Sequence, residues 1–257
     1  MLSFWIKIIL TVFLILTPVW LGVWLGKRYK KKFSVDLDHS PVGSIVGAAL
    51  GLYAFMLAIS FQIASSRFDT RKQLFVNEVV AMRATYQQAG LLKDSNNIPI
   101  KRLLREYIDL NSSLLADFHE SDIEKFRARS KEIINSLWTQ ARALANEDRG
   151  SEVYALFISS VTELDDLYNK KIGIALYSRV PKPVLWVLCF IGCSSMLILG
   201  FQIGISGKNY NLIIILMALT FAAVMWLIFA LDSPTKGFIR INPQPIFDLQ
   251  KDIHAGL

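Results

Sequence analysis

Charge is distributed very unevenly along this chain. Residues 8–26, 39–66, 183–207 and 209–231 contain no Asp, Glu, Lys or Arg. Each run reaches the roughly 18–20 residues that an α-helix needs to cross ~30 Å of hydrocarbon. A single run of this kind reads equally well as a buried helix of a soluble protein. Four of them in 257 residues do not. The composition agrees, because 53% of residues are hydrophobic and only 19% are charged, a balance shifted away from that of soluble domains. The expected fold class is therefore all-α: an integral membrane protein with four transmembrane helices, near residues 4–26, 41–65, 183–204 and 210–231. A polar helical insert separates spans two and three. The expected division is a hairpin over 1–65, the insert over 66–182, a second hairpin over 183–231 and a tail over 232–257.

The first run is not read as a cleaved signal peptide. Its basic cluster, Lys27, Arg28, Lys30, Lys31 and Lys32, follows the apolar stretch instead of preceding it. A retained anchor in a multi-pass protein of the cell (inner) membrane is expected. Net charge is +7, yet the insert is close to neutral and the excess sits beside the spans. That pattern suits topology signals and lipid headgroups and speaks against nucleic acid as a partner. The lipid bilayer is the expected partner. Cys189 and Cys193 lie four apart in an apolar run without His or carboxylate nearby; they read as packing residues, not as a metal site. His39, His119 and His254 are isolated, and no phosphate-binding loop, nucleophile elbow or zinc-protease motif occurs. No enzyme activity, metal or cofactor is expected. The Asp165–Asp166 pair reads as solvated surface.

The insert is helical by periodicity. Leu103, Leu104, Tyr107, Leu114 and Phe118 recur at helix spacing, as do Phe126, Ile133, Leu137, Ala141 and Leu144, and then Val153, Phe157, Val161, Leu164, Tyr168 and Ile172. Pro99 is expected to open one helix, Ser121 and Glu124 to form a capping box, and Gly150 to mark a stop. Ser40 and Pro41 suit the cap and first position of the second span.

That second span raises the sharpest question. The stretch GLYAFMLAISFQIASSRFDTRKQLFVNE, residues 51–78, passes from apolar to charged with no Pro or further Gly up to Ala89, so one helix is expected to leave the bilayer unbroken. Beyond the bilayer, Phe68, Phe75, Val79, Met82 and Tyr86 form an apolar stripe that should pack on the insert. At ~100° per residue, Ser44, Ala48, Gly51, Phe55, Ala58, Gln62, Ser66 and Asp69 fall within about 40° of one line. No aliphatic side chain larger than Ala lies on it. In one reading the small residues let another helix approach closely. In the other, several subunits turn the stripe toward a shared axis, with Phe55 a hydrophobic constriction and Gln62, Ser66 and Asp69 at a wet mouth. Arg67 and Arg71 lie toward the far side, placed for partners or headgroups.

The same segment, with ALDSPTKGFIRINPQP at residues 230–245 and LLREYIDL at 103–110, resembles the bestrophin-like family of membrane proteins. The LD-x-P-x-x-G part is Leu231, Asp232, Pro234 and Gly237. Val79 departs from the Ala that members often carry after the glutamate. The resemblance implies four spans and a helical insert. True bestrophins are pentameric anion channels, so it also implies a homo-oligomer and ions as passengers, although Asp69 on the stripe favours cations. No acidic cluster like the calcium clasp of the animal members is present. Asp232 either ends the fourth span in water or pairs with Lys236 or Arg240 to pin the tail. Two functions remain open: an oligomeric ion-conducting pore lined by the second span, or a non-conducting scaffold or sensor whose insert binds a partner. The basic first loop favours the cytoplasm, which would place the insert and both termini outside.

Overall fold

The structure, a computed structural model, describes residues 2–33, 39–116, 122–177, 181–206, 211–232 and 241–256. Among these it is helical without strands: α1 Leu2–Phe33, α2 His39–Ala89, α3 Asp94–Ala116, α4 Ile123–Glu147, α5 Glu152–Tyr177, α6 Lys182–Ser206, α7 Asn211–Asp232 and α8 Gln244–His254. Two compact units result, one of residues 1–68 with 179–239 and one of residues 69–178 with 240–257.

Three helices contain segments long and apolar enough to cross a membrane: Gly43–Ala89 in α2, Pro183–Ser206 in α6 and Ile214–Asp232 in α7. The expected first span lies in α1, and most of its side chains before residue 16 fall outside the described residues. The first unit packs α1, the start of α2, α6 and α7 around Val19, Tyr53, Leu57, Leu188, Met196, Met225 and Ile228. Its tightest seam joins α1 to α6 through glycine. A Cβ added to Gly22 would lie 2.2 Å from the Leu197 carbonyl oxygen, and one added to Gly200 would lie 2.2 Å from that of Val19. Gly26 and Gly204 repeat the pattern one turn on, against Phe201 and Val23 respectively. Residue numbers rise together across the seam, so the two helices run parallel. Gly192 makes similar room on α6 for the Tyr53 ring, which also tilts against Phe221 of α7 at 4.9 Å. The Ser195 hydroxyl donates to the Ala49 carbonyl at 3.0 Å.

The second unit is a bundle of the end of α2 with α3, α4, α5 and α8. Phe75, Val79, Met82 and Tyr86 enter its core as the stripe predicts, whereas Phe68 packs in the first unit. The C-terminal tail contributes a core helix. Ile246, Leu249 and Ile253 of α8 are buried, Arg83 of α2 pairs with Asp252 at 2.5 Å, and Gln250 bonds both Asp109 and Ser112 of α3. His254 lies 3.1 Å from the same Asp109, so this histidine is isolated in sequence only.

Several local expectations need correction. Pro99 does not open a helix; α3 starts at Asp94 and holds Pro99 inside. Proline is tolerated there because the helix has barely begun, and the one bond it removes would end on exposed Ser95. α2 begins at His39, so Ser40 and Pro41 belong to its first turn instead of forming cap and first position, a difference within the usual fraying of helix ends. Ser121 lies outside the described residues, and Asp122 holds the N-cap position of α4. α4 ends at Glu147, before Gly150, whose amide donates to the Asp148 side chain at 2.9 Å. Asp165 is half-buried and accepts the Trp138 indole N–H at 2.9 Å; only Asp166 is simple surface.

Candidate functional site

The face of α2 that the sequence singles out is exposed among the described residues. Ser44, Ala48, Gly51, Phe55, Ala58, Gln62, Ser66 and Asp69 are all exposed, and Phe55 keeps 61% of its surface. The opposite side carries Val46, Tyr53, Leu57, Ser60 and Ala64, all buried. Among the described residues, nothing lies within 4 Å of a Cβ added at Gly47 or Gly51. Among the described residues, no helix of the same chain packs on Gly47 or Gly51. Close helix approach belongs instead to the G-x-x-x-G pairs Gly22/Gly26 and Gly200/Gly204, a spacing plain in the sequence. An exposed apolar ring among small and polar residues, on a helix long and apolar enough to cross a membrane, suits lipid, another subunit or a water-filled axis.

Of the flanking residues, Arg67, Arg71 and Asp232 are half-buried and each takes part in a contact within the protein. Arg240, like Pro234, Lys236 and Gly237, lies outside the described residues, so the Asp232–Arg240 pairing does too. Cys189 and Cys193 are free thiols, half-buried on α6.

Periodicity alone did not single out a second cluster. Glu78, in the charged end of the quoted stretch, is 2% exposed. Its Oε1 accepts from the Tyr107 hydroxyl at 2.8 Å and from Lys171 Nζ at 2.6 Å. Lys171 also donates to Asn111 Oδ1 at 2.9 Å, and Asn111 Nδ2 donates to the Tyr107 carbonyl at 2.8 Å. The ammonium sits 5.3 Å from the Phe126 ring centroid. Burial, then the neighbouring Glu78 charge, pushes the Tyr107 phenol well above its ordinary value. It stays protonated and donates. The cluster ties α2, α3 and α5 together, with the buried carboxylate held by two donors, as a low-dielectric site requires. The signal was legible: Lys171 falls in line with Leu164 and Tyr168 on the apolar face of α5, where a lone charge implies a buried counter-ion.

Comparisons with known proteins agree on kind. The family described as Bestrophin-like domain matches residues 13–246. A bacterial bestrophin homolog from Klebsiella pneumoniae, carrying one substitution, is 15% identical with a TM-score of 0.69, covering 99% of this chain and 100% of that one. Another structure of the Klebsiella pneumoniae homolog gives 0.68 at 15% identity, with 97% of each chain covered. A protein described only as a membrane protein gives 0.69 at 15% identity, over 99% of this chain and 98% of that one. At such identity the likeness is one of fold. No curated protein matches.

Proposed function

This chain belongs to the bestrophin-like family, and from that membership we propose that it is a homo-oligomeric membrane pore in which α2 of each subunit lines a shared axis. The observation that supports this reading most is that all eight stripe residues are exposed while Val46, Tyr53, Leu57, Ser60 and Ala64 on the reverse of α2 are buried. Phe55 forms the narrow apolar ring of the pore, where dewetting gates passage. Gln62, Ser66 and Asp69 form the polar mouth that follows. A five-fold assembly is the arrangement that the resemblance to bestrophins implies. α1 is the fourth span. It runs parallel to α6 with backbone contacts from Val19 to Gly26, and a helix held that closely to a spanning helix shares its depth in the bilayer.

The test has two parts. Detergent-solubilised protein is expected to run as several copies; a single copy of 29.1 kDa plus micelle would end the intersubunit pore. In planar bilayers, Phe55→Ala is expected to raise conductance by widening the constriction, and Asp69→Asn to shift ion selectivity. Currents unchanged by Phe55→Ala would remove Phe55 from the gate. The second reading, a non-conducting scaffold or sensor, draws support from a polar groove of about 610 Å³ on the second unit, between Asn77 and Val80 of α2 and Thr162, Glu163 and Asp166 of α5. Oligomers that carry no current under any voltage or salt would favour it.

A further inference from the structure

The outer surface of α1 and α6 carries a feature that the pore does not use. A groove of about 420 Å³ runs between them, its lining including Phe13, Thr17 and Leu21 of α1 and Phe190, Cys193 and Leu197 of α6. Its walls are apolar in effect. The Thr17 hydroxyl donates back to the Phe13 carbonyl at 2.6 Å, which leaves its methyl group for the groove. Phe13 and Phe190 keep 68% and 73% of their surface, so the groove opens away from the packed interior of the unit.

The groove continues into a polar end along one helix face. At ~100° per residue, Phe13, Thr17, Leu21, Trp24, Arg28 and Lys31 lie within about 80° of one another. Trp24 is 52% exposed, and the Arg28 guanidinium sits 5.2 Å from its ring centroid, a cation–π contact that holds the charge over the ring. Arg28 and Lys31 are exposed. The distance from Phe13 to Trp24 is about 16 Å at ~1.5 Å per residue, close to one leaflet, or half of the ~30 Å hydrocarbon core. Tryptophan favours the level of the headgroups, and basic residues just past a span attract anionic lipid.

We propose that this groove and the basic end of α1 together bind one anionic phospholipid, with an acyl chain in the groove, the glycerol backbone at Trp24 and the phosphate between Arg28 and Lys31. Apolar shape selects an acyl chain of one leaflet's length, and the paired cations select a negative headgroup. The site requires α1 to lie in the bilayer, but not that the protein conducts.

The experiment takes the full chain, purified and stripped of lipid, and mixes it with equal amounts of phosphatidylglycerol and phosphatidylcholine of identical acyl chains. Native mass spectrometry then counts the lipids retained. The expected result is one phosphatidylglycerol per chain in preference to phosphatidylcholine. Arg28→Ala and Lys31→Ala should each lower that preference severalfold. Lys30→Ala removes the same charge about 100° from Lys31 and about 160° from Arg28 around the helix and should leave the preference intact. Cys193→Phe fills the groove and should lose both lipids, with an unchanged melting temperature showing that the fold survives. Equal retention of the two lipids by the wild type would overturn the proposal. So would equal losses from Lys30→Ala and Arg28→Ala, which would reduce the effect to general attraction, or retention unaffected by Cys193→Phe.

Discussion

Glu78 and Lys171 share an ion pair but not an environment: the carboxylate side chain keeps 2% of its surface and the ammonium side chain 26%. Removing either partner therefore has unequal consequences. Lys171→Met strands a buried carboxylate, and breaking a buried pair in this way costs about 3–5 kcal/mol. Glu78→Gln leaves an amide that still accepts from Tyr107, while Lys171 turns toward water. Its expected cost is about 1.5–3 kcal/mol, the range for a hydrogen bond to a charged group. Thermal melting of both variants in one detergent checks this ordering; equal losses would mean that Lys171 is not the main neutraliser. At this scale the sequence could have shown more than periodicity alone revealed. A lysine on the line of Leu164 and Tyr168 marks a buried charge, but its partner lies 93 residues away, and only the folded bundle identifies it.

Helix packing separates glycine that must be glycine from glycine that need not be. Gly200→Ala would place a methyl 2.2 Å from the Val19 carbonyl oxygen, forcing α1 from α6, and overpacking of this kind costs about 1–3 kcal/mol. Gly51→Ala meets nothing within 4 Å among the described residues, and replacing a helical glycine by alanine favours the helix by ~1 kcal/mol. Gly51→Ala is therefore expected to melt at or above the wild-type temperature and Gly200→Ala clearly below it; the reverse order would show that the seam has been misplaced. Along α2, residues 62–78 are uninterrupted helix. Ser66→Pro removes a helical hydrogen bond and clashes with the preceding turn, costing about 3 kcal/mol or more, while Ser66→Ala should be mild. Loss of assembly in the proline variant alone is expected on gel filtration. A Ser66→Pro protein with wild-type melting temperature and oligomer size would mean that a break at this point is tolerated.

For the molecule as a whole, the basic cluster Lys27, Arg28, Lys30, Lys31 and Lys32 lies at the end of α1 itself and not in a loop, and by the positive-inside tendency we propose that this end faces the cytoplasm and the second unit the outside. Cysteine introduced at exposed Ser95, with Cys189 and Cys193 replaced by alanine, is expected to react with a membrane-impermeant thiol reagent on intact cells; reaction only after lysis would reverse the orientation. Helical class, the apolar segments and the unbroken α2 were all legible in the sequence, because each follows from the local spacing of apolar and charged residues and from where Gly and Pro are absent. The exposed stripe was legible as a pattern, but not as an uncovered face. Whether Gly51 or Gly200 receives a neighbouring helix depends on which helices meet, and both carry the same small side chain. The packing of α8 into the second unit and the partnership of Glu78 with Lys171, Tyr107 and Asn111 were likewise settled only by tertiary structure. Such contacts join residues far apart in the chain, and no local periodicity records which distant face will bury a given side chain.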